Sequence, residues 1–265
     1  MAMRLEGSRV LLTGASGGLG STLARRLGAA GAQLVLTGRR AEALEELARE
    51  LGARAFAADL SDRSQLEGLL LAAGEVDILI ANAALPASGR LAALGADDLD
   101  RALEVNLRAP IALAHRLAPA MVARGSGHLV FIGSLSGKAA SGGASLYCAT
   151  KFGLRGFALA LRSELAPAGV GVSIVSPGFI ADAGMFADTE IKLPRGMSTR
   201  TSEQVAQAVL RAIVRNRGER DVASPAMRLG ADAANLAPAL AARVGRLIGA
   251  QELALEFERR QADKR

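Results

Sequence analysis

Short runs of apolar residues alternate with longer amphipathic segments along this chain, and this alternation limits the folds open to it. Because the short runs lack polar alternation, they predict strands covered on both faces, as in a parallel sheet. The predicted strands are Arg9–Thr13, Gln33–Thr37, Arg54–Ala57, Asp77–Ala81, His128–Ile132, Gly171–Ser176 and Arg220–Ala223. The predicted helices are Gly18–Ala30, Ala41–Leu51, Arg63–Ala73, Asp97–Arg124, Leu146–Ala166 and Ser202–Asn216. Their order predicts an α/β fold with a doubly wound parallel sheet flanked by helices.

No linker, repeat or block of charge divides the sequence, so we predict a single domain over residues 1–265. Two regions depart from the alternation. Residues 178–200 have no clear period and are expected to form a long loop, which in a compact domain usually serves function. Residues 228–265 are rich in alanine and predict a helical extension. The expected apolar face of that extension comprises Leu236, Leu240, Val244 and Leu247, with Arg243 and Arg246 turned away.

The formal net charge of +6 is spread along the chain. No basic run is interleaved with aromatic residues, which favours a solvated surface over a nucleic-acid groove. The single cysteine, Cys148, excludes an intramolecular disulfide and fits a reducing compartment, so we expect a cytoplasmic protein. The N-terminus lacks the pattern of a signal peptide, and no uncharged apolar stretch is long enough to span a membrane.

A glycine-rich turn follows the first predicted strand and opens a helix, and its sequence is Thr13-Gly14-Ala15-Ser16-Gly17-Gly18-Leu19-Gly20. A pyrophosphate needs bare backbone N–H groups at a helix N-terminus, where side chains would block its approach. We expect Gly14 to permit the tight turn, Gly18 to let phosphates come close and Gly20 to let the helix lie near the sheet. The placement in the first βα unit favours a Rossmann-like dinucleotide site over an ordinary glycine-rich loop.

The second predicted strand ends in Thr37-Gly38-Arg39-Arg40, without the carboxylate that an NAD-selective site uses for the ribose hydroxyls. An arginine fork suits a 2′-phosphate, and the Ser16 hydroxyl can add a hydrogen bond. We therefore favour NADP(H) over NAD(H), with Arg39 as the phosphate contact. In the alternative, Arg39 and Arg40 only begin a solvated helix.

Tyr147 and Lys151 stand four residues apart, so on a helix both face the same cleft. An unperturbed tyrosine has a pKa of about 10, and a neighbouring ammonium and an oxidised nicotinamide ring both favour its phenolate. We expect these charges to lower the pKa of Tyr147 toward a range useful for a general acid or base. Tyr147 is the only tyrosine of the chain, which makes a chance pairing with Lys151 less plausible.

With this pair at this distance from the glycine turn, the chain resembles the short-chain dehydrogenase/reductase family, in its single-domain branch. The resemblance covers roughly Gly7 to Val222 and implies hydride transfer between a nicotinamide dinucleotide and a carbonyl or alcohol. It implies that the Ser134 hydroxyl polarises the substrate oxygen, with Ser136 a weaker candidate. It also implies that Asn106 holds a water in a proton relay to the lysine; the alternative is a capping or helix-bending residue.

The resemblance assigns further residues to the cofactor. Asp59, with its neighbour, resembles an adenine-contacting residue, although it also suits a helix N-cap. Leu85 stands where the family commonly has glycine, and Asp182 lies in a segment where a threonine is frequent. The implied cofactor-binding set is Gly14, Ser16, Gly18, Leu19, Gly20, Arg39, Asp59, Leu60, Asn82, Ala83, Tyr147, Lys151, Pro177, Gly178 and Ile180, and no metal site is expected.

The loop at 179–200 is rich in large apolar side chains: Met185, Phe186, Ile191 and Leu193. It predicts either a lid over an apolar substrate or a loop that packs on its own core. No polar anchor is evident, so the expected substrate is a small carbonyl or alcohol compound of apolar character.

Two other interpretations stay open. The fold could serve as a non-catalytic nucleotide sensor, although candidates for all four catalytic positions are present. Leu236–Phe257 could form an amphipathic helix on a membrane. We favour packing on the core or on another subunit, because Glu252, Glu256 and Glu258 interrupt its apolar face. By resemblance, pairing through the helices at 97–124 and 146–166 would give a homodimer or homotetramer.

Overall fold

The structure is a computed structural model that describes residues 3–187, 197–239 and 243. Within them the strands are β1 (Arg9–Thr13), β2 (Gln33–Gly38), β3 (Arg54–Ala57), β4 (Ile78–Ala81), β5 (Gly127–Ile132), β6 (Val170–Pro177) and β7 (Glu219–Val222). They form one seven-stranded sheet in the order β3-β2-β1-β4-β5-β6-β7, and every neighbouring pair is parallel. The chain reverses its direction of winding between β1 and β4, which opens a crevice at the carboxyl ends of the strands. The predicted Rossmann-like fold is confirmed.

Strand ends differ from the predicted ones by one residue in β2, β4, β5, β6 and β7. The cause is the register of hydrogen bonding, which apolar patterning does not report. For example, β6 continues to Pro177 because that residue pairs with Val222, and Val222 is then the last residue of β7.

Helices cover both faces of the sheet. Their bounds are α1 (Gly18–Ala29), α2 (Ala41–Leu51), α3 (Arg63–Ala73), α4 (Ala96–Leu103), α5 (Ala109–Ala123), α6 (Ser145–Leu165), α7 (Gly184–Ala187), α8 (Ser202–Val214) and α9 (Pro225–Leu236). The predicted bounds of α2 and α3 match, whereas α1, α6 and α8 end one or two residues before the predicted position. Asn216, predicted as the last residue of α8, instead has a left-handed φ of 47°.

Alternate side chains of the inner strands point to opposite faces, and each face carries its own cluster of buried apolar residues. Val10 and Leu12 of β1 pack with α1, α2 and α8, whereas Leu11 packs with α3, α5 and α6. Because both faces are buried, both are mainly apolar. This two-sided burial explains the continuous apolar runs in the sequence.

The predicted single helix Asp97–Arg124 is wrong in its middle. A π-helical turn, Glu104–Arg108, lies between α4 and α5. The residues on either side of it, Leu103 and Ala109, keep right-handed helical angles, so the helical run continues through the turn. Asn106 lies inside this turn. Single π-turns of this kind are frequent at functional sites.

Only part of the predicted loop at 178–200 is described. Ile180 pairs with Arg200 in an isolated parallel bridge, and the ring centroids of Phe179 and Phe186 lie 4.6 Å apart. Ile191, Leu193 and the side chain of Met185 lie outside the described residues, so the expected lid stays a prediction.

The predicted extension at 228–265 begins earlier than expected, at Pro225, where the Ser224 side chain caps α9. Leu236 is 85% exposed, so it does not pack on the described core. Leu240, Val244, Arg246 and Leu247, with the rest of the expected helix to Phe257, lie outside the described residues; Arg243 is described and is exposed. In the described part of the chain, no helix combines the length and apolar character needed to cross a membrane.

Candidate active site

The glycine turn lies at the carboxyl end of β1, beside the point where the strand order reverses. Gly14 has a φ of 66°, and a Cβ there would lie 2.8 Å from the Cα of Ala83. A Cβ at Gly20 would overlap the carbonyl oxygen of Gly14. Both positions therefore require glycine, and the backbone at the start of α1 stays bare. Such a bare helix start suits the pyrophosphate of a dinucleotide, so the residues present fit this group.

Gly18 has a different neighbour from the expected one. A Cβ at Gly18 would lie 3.0 Å from the Cβ of Ala183, in the loop after β6. The missing side chain thus makes room for this loop, and the expectation that it lets phosphates come close stays a prediction. The next residue, Leu19, is half-buried and packs against the core beneath α1.

Hydrogen bonds tie the same loop to α1 and α8. The Asp182 carboxylate accepts from the Ser202 backbone N–H at 2.7 Å and from the Ser202 hydroxyl at 3.0 Å. The Thr22 hydroxyl lies 3.0 Å from Ser202 Oγ and 3.1 Å from the Gly18 carbonyl oxygen. The Asp182 carboxylate is therefore hydrogen-bonded to the start of α8 and does not point freely into the crevice.

Asn82 connects the end of β4 to the glycine turn. Its Nδ2 donates to the carbonyl oxygens of Thr13 at 3.0 Å and Gly14 at 3.2 Å. The backbone N–H groups of Asn82 and Ala83 both donate to Thr13 Oγ1 at 3.0 Å. Asn82 and Ala83 thus hold the glycine turn in place.

Asn106 is 1% exposed, and its side chain is paired with the backbone of Leu85. Its Oδ1 accepts from the Leu85 N–H at 2.7 Å, and its Nδ2 donates to the Leu85 carbonyl at 3.0 Å. Leu85 does not have a positive φ, so this turn does not need the glycine that the family commonly places there. Asn106 lies in the π-helical turn, and its role in a proton relay stays a prediction.

At the nucleotide end, Gly38 lies against Ser16. A Cβ at Gly38 would lie 2.6 Å from Ser16 Oγ, so a longer side chain there would displace the hydroxyl. Arg39 and Arg40 are both exposed, and the Arg40 guanidinium donates to the Ser16 carbonyl oxygen. Arg40, which the sequence offered only as the second of an arginine pair, is therefore the arginine fixed at the turn.

Asp59 does not cap a helix, so that alternative is wrong. Its Oδ1 accepts from the backbone N–H and the hydroxyl of Ser61, and the N-cap of α3 is Asp62. Burial raises the pKa of Asp59, but the bonds from Ser61 and the charges of Arg39 and Arg101 together hold it below the usual value. The side chain of the neighbouring Leu60 is buried in the core.

Ser134 and Tyr147 meet at the carboxyl end of β5. Ser134 follows β5 directly, and a short 3₁₀ turn, Leu135–Gly137, begins after it. Tyr147 lies in the first turn of α6, and the Ser134 side chain is the polar neighbour that acts to lower the pKa of its phenol. Ser134 Oγ also accepts from the Ser136 N–H at 3.1 Å. Ser136 thus contributes its backbone, rather than its hydroxyl, to this group.

Lys151 lies one helical turn beyond Tyr147 and is 3% exposed. Its Nζ donates to the Ile132 carbonyl oxygen at 3.0 Å and lies 5.7 Å from the centroid of the Tyr147 ring. Burial lowers the pKa of Lys151 to about 8. Burial also raises the pKa of Tyr147 to about 12, although the bond with Ser134 opposes this. Without the cofactor the pKa of Tyr147 therefore lies above its ordinary value, and the expected lowering, which includes the charge of an oxidised nicotinamide, stays a prediction.

The segment after β6 lies beside the same group. The Gly178 N–H donates to the Val222 carbonyl at 3.0 Å, directly after Pro177 at the end of β6. Ile180 is buried, and the neighbouring residues Phe179 and Ala181 carry the bonds to Arg200. In parallel pairing the N–H and C=O of Ile180 itself then face away from Arg200, toward the other side of the segment.

Two groups near the site were missed in the sequence. One is the pairing of Asp182 with Ser202, which links residues 20 positions apart and has no local signal. The other is a buried ion cluster around Lys138, for which the only signal was the scarcity of lysine in the chain. In the described residues, no group of three or more His, Cys, Asp or Glu side chains could hold a metal ion.

Known proteins resemble this chain in sequence and in fold. The sequence model of the family described as short chain dehydrogenase matches residues 8–193. The ketoacyl reductase HetN of Nostoc sp. is 35% identical over 218 residues, 79% of this chain and 76% of that protein. The 3-oxoacyl-acyl-carrier-protein reductase FabG of Escherichia coli is 32% identical over 184 residues, 67% and 75% of the two chains. A short-chain dehydrogenase from Sphingobium yanoikuyae, solved with NADPH, has 30% identity and a TM-score of 0.74, and the match covers 94% of each chain.

Proposed function

Because the chain belongs to the short chain dehydrogenase family and is an oxidoreductase of C=O and CH–OH groups, we propose that it transfers a hydride between NADP(H) and a carbonyl or alcohol, with Tyr147 as the general acid and base. The observation that carries this proposal is the placement of Ser134, Tyr147 and Lys151 together at the carboxyl edge of the sheet, with the Lys151 ammonium 5.7 Å from the centroid of the Tyr147 ring.

The hydrogen bonds around Ser134 leave the phenol proton available. Because the Ser136 N–H donates to Ser134 Oγ, the Ser134 hydroxyl can give its own proton to the Tyr147 oxygen. The phenol proton is then free for a substrate oxygen, and each bond in such a chain polarises the next. With a pKa of about 12, Tyr147 is protonated at neutral pH, the form that a general acid needs.

When bound, the nicotinamide supplies the hydride, and the protein supplies the proton and the orientation. In reduction, Tyr147 gives its proton to the carbonyl oxygen, and the Ser134 hydroxyl stabilises the charge that develops. The ammonium of Lys151 favours the phenolate that remains on Tyr147. In alcohol oxidation the same groups act in reverse.

Asn106 is the proposed link between Lys151 and solvent. Its pairing with Leu85 uses one lone pair of Oδ1 and one N–H of Nδ2. One of each is left, which is enough to bind a water. Because both atoms are fixed by the backbone, such a water would have a defined position.

The cofactor is proposed to lie across the crevice between β1 and β4. The backbone N–H groups at Gly18–Gly20 would receive the pyrophosphate. Ser16, Arg39 and Arg40 would receive the 2′-phosphate, since Gly38 leaves no carboxylate to favour NAD. The remaining proposed contacts are Asp59 and Leu60 at the adenine, Asn82 and Ala83 beside the glycine turn, and Pro177, Gly178 and Ile180 at the nicotinamide.

We propose that the substrate carries apolar groups around its carbonyl. The Tyr147 ring packs against a buried apolar cluster that includes Ala87, Ala102 and Leu146. A cavity beside it is lined by apolar residues together with Asp98 and Arg101; the apolar ones are Leu85, Pro86, Ala87, Leu94, Ala102 and Leu146. Since two relatives are named ketoacyl reductases, 3-ketoacyl thioesters are the first compounds to test.

The test is consumption of NADPH and of NADH with a panel of 3-ketoacyl thioesters, aldehydes and bulky ketones. We expect turnover with at least one apolar carbonyl and a lower Michaelis constant for NADPH. An equal or lower Michaelis constant for NADH would contradict the cofactor preference. Cofactor binding without oxidation across the panel would favour the nucleotide-sensor alternative and overturn the proposed catalysis.

A homodimer or homotetramer is also proposed, through α4, α5 and α6. Two apolar side chains on these helices support it, because Leu103 is 41% exposed and Phe152 is 37% exposed. Analytical ultracentrifugation of the protein and of a Phe152→Glu variant tests this, since a monomeric wild type would refute it. A cytoplasmic location is proposed from the use of NADP(H) and from the single, buried Cys148.

A further inference from the structure

A buried ion cluster joins the turn after Ser134 to the edge of the sheet. Lys138 is only 6% exposed, although lysine is rarely buried unless it is paired. Its Nζ lies 2.7 Å from an Asp221 carboxylate oxygen, 3.4 Å from Glu219 and 3.5 Å from Asp232. Asp221 and Glu219 belong to β7, and Asp232 belongs to α9. One ammonium therefore holds two other elements to the turn.

The cluster also reaches the helix that carries Tyr147 and Lys151. Arg155 lies one helical turn beyond Lys151, and its Nε donates to Glu219 Oε1 at 2.6 Å. The charges in the cluster keep the Lys138 ammonium protonated: burial alone would lower its pKa, but the three carboxylates raise it above the usual value.

The turn itself is clamped between two elements. Within it, the Gly137 N–H donates to the Ser134 carbonyl at 2.9 Å, and the Lys138 N–H donates to the Leu135 carbonyl at 2.9 Å. On one side, a Cβ at Gly137 would lie 2.7 Å from the Lys151 carbonyl oxygen, so the turn lies directly on α6. On the other side, Lys138 connects it to β7. Movement of the turn would carry the Ser134 side chain with it.

We propose that Lys138 is a positioning residue for the reaction, because its bond to Asp221 fixes the turn and so holds the Ser134 hydroxyl against the Tyr147 phenol. This inference rests on the proposed function of that pair. A buried ion pair adds little stability compared with apolar residues of similar volume, so stability alone does not account for the cluster. Positioning of Ser134 does account for the cluster, because small displacements of catalytic groups lower the rate by large factors.

The test compares Lys138→Met with Arg9→Met. In Arg9→Met the same substitution to methionine breaks an exposed ion pair with Glu75, at the first residue of β1. We expect Lys138→Met to lower kcat about tenfold or more, with the dissociation constant for NADPH changed less than about twofold. Arg9→Met is expected to keep both values. A Lys138→Met enzyme with wild-type kcat overturns the inference.

A double variant, Lys138→Met with Asp221→Leu, separates an effect on the position of Ser134 from an effect on the stability of the fold. It also replaces the single variant as the test if Lys138→Met fails to fold. Removing both charges is expected to restore the melting temperature but not kcat. Recovery of kcat together with the melting temperature would show a structural role only and would overturn the inference. Crystal structures of the wild type and the double variant test the inference without an activity assay. We expect a longer distance between the Ser134 hydroxyl and the Tyr147 phenol oxygen in the variant. An unchanged distance refutes the inference. If the wild type has no turnover, the proposed function fails instead.

Discussion

The Tyr147 phenol is expected to resist ionisation in the free enzyme. Burial raises its pKa to about 12 from the ordinary 10.0, and the hydrogen bond with Ser134 only partly opposes this. The difference between the two values corresponds to about 3 kcal/mol in favour of the neutral phenol in the folded state. Because the folded pKa is raised, this contribution to stability is fully present below about pH 10 and is lost as the pH rises through about 12.

Alkaline titration measures this directly. The chain has one tyrosine and no tryptophan, so the near-ultraviolet absorbance of tyrosinate reports Tyr147 alone. In urea the phenol is expected to ionise near pH 10. In the folded protein, with circular dichroism as the check on folding, no tyrosinate is expected at that pH, and Ser134→Ala is expected to delay ionisation further. Saturating NADP⁺ should shift the titration to lower pH, since its positive ring favours the phenolate. A folded free enzyme that ionises at or below about pH 10 would refute the reasoning.

Three further predictions follow from the same contacts. Gly20→Ala is expected to abolish NADPH binding measured by calorimetry, because its Cβ would overlap the Gly14 carbonyl oxygen. The control is Gly156→Ala, whose Cβ meets nothing within 4 Å and which should bind NADPH normally. Equal NADPH binding by the two variants would contradict the role given to Gly20. The rate of carbonyl reduction should decline above about pH 8 as Lys151 loses its proton, and this decline should be absent in Lys151→Met; a wild-type profile without it refutes the role of the ammonium. Burial lowers the pKa of His128 to about 4, so the free energy of unfolding should fall as the pH drops from about 6.5 through about 4, where the unfolded ring takes up a proton and the buried one does not. In urea unfolding, the free energy of unfolding of His128→Gln should depend less on pH over this range than that of the wild type. An equal pH dependence would contradict the effect assigned to the buried His128 ring.

The sheet was predictable because its strands are buried on both faces. Leu11 and Leu12 point to opposite clusters, so the sequence had to be apolar at both positions. The glycine turn was predictable for a related reason, since backbone crowding at Gly14 and Gly20 leaves room for no other residue. In both cases the constraint acts on one short segment, so the residue types of that segment reveal it.

Contacts between distant segments left no such mark. The π-turn at Glu104–Arg108 places Asn106 against Leu85, 21 residues earlier, and the periodicity of the helix does not report this pairing. The cluster around Lys138 joins this residue to Asp221 on β7, 83 positions later in the chain. The local pattern gives the residue types here but not their partners.

The pKa of Tyr147 in the free protein could not be predicted from the sequence, for a physical reason. The sequence shows Lys151 one helical turn away, but it does not show how far either group is removed from water. In the folded protein burial raises the pKa of the phenol and lowers the pKa of the ammonium. A bound, positively charged nicotinamide is then required before Tyr147 can act readily as a base.

The most direct test of the catalytic role of Tyr147 is a single-turnover measurement of NADPH oxidation by Tyr147→Phe, with a carbonyl that the wild type reduces. Loss of the phenol proton donor should lower the rate by about 10²-fold or more, while NADPH binding stays within about twofold of the wild type. A variant that binds NADPH and oxidises it at the wild-type rate would contradict the role assigned to Tyr147.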